Sequence, residues 1–121
     1  MSDDVVTMAG VFNRNGYKTF ALGKWHLGEK EPDHPNQRGF DEFYGFLAGG
    51  RTYFPLQNPS KEQRLQHNGE RMVFEGYMTD VLGNQSGRFV EESADQPFFM
   101  YLAYNAVHTS HEGQRRRSGK I

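Results

Sequence analysis

The chain contains no cysteine, which excludes disulfides, zinc–thiolate sites, iron–sulfur clusters and a thiol nucleophile. No run approaches the ~18 apolar residues of a membrane span, and mean hydropathy is low, at -0.82. Net charge is scarce too, since 14 Lys and Arg against 15 Asp and Glu leave -1. That balance is uneven along the chain. From Ser110 onward Arg115, Arg116, Arg117 and Lys120 stand against Glu112 alone, so the residues before them carry ten basic and fourteen acidic side chains. Such a body lacks the electrostatic footprint of a nucleic-acid binder. Met1-Ser2-Asp3-Asp4 is too acidic to open a signal peptide, so the sequence as written reads as carrying no export signal.

What is present is aromatic. One Trp, six Tyr and ten Phe in 121 residues supply the apolar area that folding needs, and the length predicts one domain or part of one. Val5, Met8, Ala9 and Phe12 fall at i, i+3, i+4 and i+7, predicting a helix capped by Ser2 or Asp3 and stopped at Asn15-Gly16. Residues 17–22 read as a strand ended by Gly23. Residues 23–59 read as a long loop pinned to a core by Phe40, Phe43, Tyr44, Phe46, Tyr53 and Phe54. Residues 63–75 predict two short strands around an Asn68-Gly69 turn. A helix is predicted over 78–93 with Met78, Val81, Leu82, Phe89 and Val90 inward, weakened by Gly83 and Gly87. Residues 97–104 form an almost unbroken apolar run, predicting a strand buried on both faces of a parallel sheet. The alternation of helix and strand predicts an α/β fold with mainly parallel strands, crossover helices and a long irregular loop. So few parallel strands read as part of a larger sheet. The apolar pattern ends near His111, leaving 112–121 as a basic tail expected to be disordered.

Two clusters carry candidate chemistry. Gly23-Lys24-Trp25-His26-Leu27-Gly28 directly follows a predicted strand, and open α/β sheets bind ligands at the carboxyl ends of their strands. Lys24 and His26, two apart, would point to one side of an extended backbone. A fixed positive charge beside a proton-bearing imidazole suits an anionic substrate. On spacing alone, Lys24-x-His26 also reads as polar surface at a strand end. The second cluster, Tyr104-Asn105-Ala106-Val107-His108-Thr109-Ser110-His111, follows the other apolar strand and would bring His108 to the same sheet edge. His108-x-x-His111 has the spacing of a helical zinc pair, but no third ligand is near and Ser110 and Gly113 do not suggest a helix. His34 and His67 read as loop and turn residues, and Asp41-Glu42 as packed loop rather than a carboxylate pair. Neither a phosphate loop nor a dinucleotide-binding glycine pattern is present.

Five blocks resemble the sulfatases, in the order that family has them. They are Gly16-Tyr17-Lys18-Thr19, the Gly23-to-Gly28 string, and Arg38-Gly39-Phe40-Asp41-Glu42-Phe43-Tyr44-Gly45-Phe46. Gly76-Tyr77-Met78-Thr79-Asp80-Val81-Leu82 and the run from Pro97 to His108 complete the set. The Gly-Lys-Trp-His-Leu-Gly string is highly specific. The resemblance implies part of an alkaline-phosphatase-like catalytic domain over residues 1–111. It implies hydrolysis of sulfate esters or sulfamates by a formylglycine made from Cys or Ser, with a calcium ion on the sulfate oxygens. Lys24 would contact the sulfate and the formylglycine. His26 would hydrogen-bond the formylglycine hydroxyl, and His108 would meet the sulfate on its leaving-group side. A sulfated glycan or an aryl sulfate is the implied substrate, and members of the family are commonly exported.

The departures are as specific. Lys30, Asp33, Tyr53, Gln57 and Asp95 stand two before the five prolines, so the Cys/Ser-x-Pro-x-Arg precursor of formylglycine is absent. Asp3-Asp4 precedes the lysine strand by one helix only and is not the calcium-binding pair, so no metal ligand is assigned. Ser110 stands where proline is expected. The chain is therefore expected to carry part of the sulfate-binding wall and to be inactive alone. The alternative is a non-catalytic module that binds sulfated glycans.

Overall fold

The computed structural model describes residues 5–106. His108, His111 and the 112–121 segment therefore lie outside the described residues. The elements run α1 (Met8–Arg14), β1 (Lys18–Lys24), two single 3-10 turns (Glu31–Asp33 and Pro35–Gln37), β2 (Glu42–Phe46), β3 (Gln66–His67), β4 (Glu70–Arg71), α2 (Met78–Glu92) and β5 (Phe98–Ala103). They build one mixed sheet of order β4-β3-β2-β1-β5. β1 pairs in parallel with both β2 and β5, and the β3–β4 hairpin adds antiparallel to β2.

The middle of β1, Phe20-Ala21-Leu22, is apolar because both faces of the strand are covered. Phe20 and Leu22 join Tyr44, Phe46, Tyr53, Leu65, Met78, Leu82 and Phe89 in a core on the α2 side. Ala21 and Trp25 join Ala9, Phe40, Phe43 and Leu47 in a smaller core on the α1 side. Gly23 does not end the strand: it sits inside with φ +97°, and the strand continues to Lys24.

β2 corrects the expectation of an unbroken loop over 23–59. Phe43 and Leu47 point to one core and Tyr44 and Phe46 to the other. With both faces apolar and a glycine in the middle, this strand shows no polar alternation to read. The expectation that the aromatics pin the segment holds for five of the six; Phe54 is exposed.

α1 is shorter than expected. Thr7 caps it, its Oγ1 accepting from Gly10 N–H at 3.0 Å and donating to the Arg38 carbonyl at 2.6 Å. Val5 therefore lies before the helix, 50% exposed, and Met8 is 65% exposed; only Ala9 of the predicted stripe is buried. Phe12 is half-buried and stacks on Phe99 at 4.8 Å between ring centres. Two helical turns crossing a sheet can present little more than one residue to it.

In α2 Met78, Leu82 and Phe89 are buried, whereas Val90 is 42% exposed, having been expected inward. One residue is about 100° of helical rotation, which carries Val90 away from the face that Phe89 buries. β5 forms as expected but lies at the edge of the sheet. Its residues are half-buried or, for Tyr101, exposed, rather than buried on both faces. The hairpin turn has Asn68 at φ +52° and Gly69 at φ +93°, the two left-handed residues that such a turn requires.

Candidate active-site edge

The carboxyl ends of β1, β2 and β5 meet at one edge of the sheet. Gly23 is level with Gly45 on one side and Ala103 on the other, and Lys24 is level with Phe46. The ladder ends at Lys24, and two further backbone bonds tie the following residues to the end of β2. Trp25 N–H donates to the Phe46 carbonyl at 3.0 Å and His26 N–H to that of Leu47 at 3.1 Å. Lys24 thus stands as the last residue of β1, and His26 is held at the same sheet edge by its own backbone bond.

Trp25 between them is the anchor. Its indole is buried in the α1-side core, meets Phe40 edge-on at 6.0 Å, and donates from Nε1 to the Asp33 carbonyl at 2.9 Å. Lys24 is half-buried and His26 exposed. His26 has φ +52°, uncommon for a residue with a side chain, so the extended alternation expected to aim it with Lys24 does not apply to it. Among the described residues its ring makes no hydrogen bond. The imidazole lies over Gly49, where an added Cβ would come within 2.6 to 2.8 Å of three ring atoms.

β5 runs parallel beside β1 and delivers the chain to this same edge. Tyr104 is exposed there, and Asn105 is 1% exposed with its carbonyl accepting from Tyr53 Oη at 3.4 Å. His108, three residues on, is outside the described residues.

The remaining histidines and acids are engaged elsewhere. His34 Nδ1 accepts from Asn36 N–H at 3.1 Å, so its Nε2 donates to Gln66 Oε1 at 2.7 Å. His67 pairs with Glu42 at 2.8 Å. Asp41 bonds Asn13 and Thr19, and Glu42 bonds His67 and Asn68, so the neighbouring carboxylates serve separate networks. Burial raises the Glu42 pKa, but hydrogen bonds from His67 and Asn68 and the charges of His67 and Lys18 outweigh it. The carboxyl ends below its ordinary range. Burial pushes the Tyr44 phenol up, with Arg88 opposing.

Sequence reasoning missed Gly49 and Arg51. Arg51 is buried, and its guanidinium donates to the carbonyls of Thr52, Gln63 and Phe54 at 2.8, 2.6 and 2.6 Å, holding the loop after β2. The available signal was a lone arginine in an uncharged stretch between Gly49-Gly50 and the Thr52-Tyr53-Phe54 run. Among the described residues no group of three or more His, Asp or Glu could hold a metal ion.

The comparisons with known proteins agree with one another. A family model described as Sulfatase matches residues 2–120. The chain is 36% identical over 123 residues to the uncharacterized sulfatase YdeN of Escherichia coli K12, covering 81% of this chain and 21% of that protein. It is similar to the solved structure of Ps i-CgsB in complex with k-i-k-neocarrahexaose, with TM-score 0.87 and 39% identity over 95% of this chain and 29% of that one. It is also similar to BT4656 in complex with its substrate D-glucosamine-2-N,6-O-disulfate, with TM-score 0.69 and 26% identity over 90% of this chain and 20% of that one. The chain thus spans about a fifth of the curated relative. The mainly parallel sheet and its two flanking helices are those of the alkaline-phosphatase-like fold of the solved sulfatases, and the chain belongs to the sulfatase family.

Proposed function

We propose that this chain forms part of the sulfate-binding wall of a sulfuric ester hydrolase, with Lys24, His26 and His108 facing the sulfate group. The observation that carries this reading is the placement of Lys24 as the last residue of β1 and of His26 by its backbone bond to Leu47, both at the carboxyl edge of parallel strands and beside the strand that leads to His108. Preorganised charge at such an edge stabilises an anion without reorganising when it binds. The Lys24 ammonium binds and neutralises sulfate oxygens. The His26 imidazole, with no other partner among the described residues, is free to hold or pass a proton at the ester's reacting end. His108 takes the leaving-group side. BT4656, bound to a sulfated amino sugar, supports a sulfated sugar as the substrate class.

The chain supplies binding and orientation rather than the nucleophile, because no Cys or Ser stands two before any of its prolines. Alone it binds sulfate esters and does not turn them over. This same observation favours a second reading, a non-catalytic module for sulfated glycans, which differs only in what the wall is used for.

The test is a titration of the isotopically labelled chain with a sulfated disaccharide, followed at the histidine side chains, together with an assay on 4-nitrophenyl sulfate. The reading expects His26 and His108 resonances to shift, the shift to vanish in Lys24→Ala, and no hydrolysis. No shift at millimolar ligand removes the sulfate-wall reading. Hydrolysis that disappears in Lys24→Ala overturns the statement that the chain is inactive alone.

A further inference from the structure

Gly49 lies in the loop after β2, and nothing in the Gly-Lys-Trp-His string points to it. A Cβ built on it would stand 2.6 Å from Cε1, 2.6 Å from Nε2 and 2.8 Å from Cδ2 of His26. Near-equal distances to three successive ring atoms mean that the position lies over the ring's face. A position in line with Nε2 would be far closer to that atom than to its neighbours. The glycine therefore seats the imidazole face-on.

We propose that Gly49 is a positioning residue for His26: the missing side chain is the seat that fixes the ring's plane at the sheet edge. The backbone of His26 is already fixed by its bond to Leu47, one strand end away from Gly49, and by its left-handed φ of +52°. With the backbone set, only the two side-chain torsions remain, and the flat surface at Gly49 selects among them. Any larger residue forces the ring off that surface. Gly49 itself is outside the positive-φ glycines, so alanine is compatible with its backbone. The obstructing atoms are the far end of a side chain that can rotate, so Gly49→Ala folds and moves the imidazole instead. This inference rests on the reading of His26 as a sulfate-facing residue only for its consequence, not for its geometry.

The experiment uses the full chain. Nuclear Overhauser contacts between the Gly49 Hα protons and the His26 ring are expected in the wild type. In Gly49→Ala the ring resonances and the pH titration curve of His26 are expected to shift while those of His34 and His67 stay in place. Gly87→Ala, a change in open space on α2, is the control and leaves all three histidines unchanged. A wild type without the Gly49–His26 contact, or a Gly49→Ala chain with an unmoved His26 titration, overturns the proposal. Sulfated disaccharide added to the wild type tests the functional reading separately: a ring that moves in Gly49→Ala but never responds to sulfate keeps the seat and discards the sulfate wall.

Discussion

Thr19 and Asp41 bond each other reciprocally at the amino ends of β1 and β2. Asp41 Oδ2 accepts from Thr19 N–H at 3.0 Å, while Asp41 N–H donates to Thr19 Oγ1 at 2.9 Å and to the Thr19 carbonyl at 3.0 Å. Asn13 on α1 donates to both Asp41 carboxylate oxygens at 2.9 Å, and Thr19 Oγ1 donates to the Gly39 carbonyl at 2.7 Å. One carboxylate thus fastens α1, β1 and the approach to β2. Asp41→Ala leaves the buried Thr19 N–H without its acceptor, and hydrogen bonds to a charged group are worth ~1.5–3 kcal/mol each in net terms. The expected loss is about 3 kcal/mol in urea unfolding, with Asp41→Asn losing less. A loss below about 0.5 kcal/mol, the range of ordinary surface changes, contradicts the assignment.

Gly45 and Gly87 are opposite cases of the same substitution. A Cβ on Gly45 would overlap the Gly23 carbonyl oxygen and lie 2.6 Å from Gly23 N and 2.9 Å from its carbonyl carbon. Backbone atoms in a central ladder cannot step aside, so Gly45→Ala is expected to cost about 3 kcal/mol or more. Gly87 sits in α2 with nothing within 4 Å of the added carbon. Gly87→Ala is expected to gain roughly 1 kcal/mol from helix propensity. Thermal unfolding of the two variants should move in opposite directions.

The sequence made some of this legible and hid the rest for physical reasons. The Asn68-Gly69 turn was readable because only a few residues tolerate two left-handed positions in succession. α2 was readable from its period, with Val90 misplaced by one step of rotation. β2 was hidden because both faces of Phe43-Tyr44-Gly45-Phe46 are buried, which erases the polar alternation. Of the site, the Lys24 and His26 string announced itself, yet the seat under His26 did not. A residue that works by lacking a side chain leaves no chemical signature in its own letter.

The Glu42 carboxylate makes stability depend on pH in the acid range. Its ordinary pKa of 4.5 is raised by burial but lowered further by the His67 and Asn68 hydrogen bonds and the nearby positive charges, and the net shift is downward. A group whose folded pKa is depressed contributes stability above its unfolded pKa and loses it as pH falls through the folded value. The contribution is therefore intact above about pH 5 and fades below 4.5. Glu42→Gln is expected to flatten the acid limb of a stability–pH curve and to leave stability near neutrality only slightly reduced. Curves of wild type and variant that run parallel from pH 6 down to 3, two points spanning roughly the carboxylate range, would contradict this.

Arg51 ties the seat of His26 to the rest of the fold. Its guanidinium spends its donors on three carbonyls of the loop after β2 and lies 5.9 Å from the Phe46 ring centre and 5.3 Å from that of Phe74. The three bonds leave from three separate nitrogens of a rigid planar fork, a spread that the donors of one ammonium nitrogen do not have. Arg51→Met and Arg51→Lys are therefore both expected to destabilise by about 2–3 kcal/mol, with lysine recovering little. The loop they loosen contains Gly49, two residues before Arg51, so the contact between Gly49 and the His26 ring should weaken in the folded fraction as well. Urea unfolding gives the first quantity and the Gly49–His26 Overhauser contact the second. A lysine variant with wild-type stability and an unchanged contact would show that charge at residue 51 suffices and that the fork geometry does nothing for the loop.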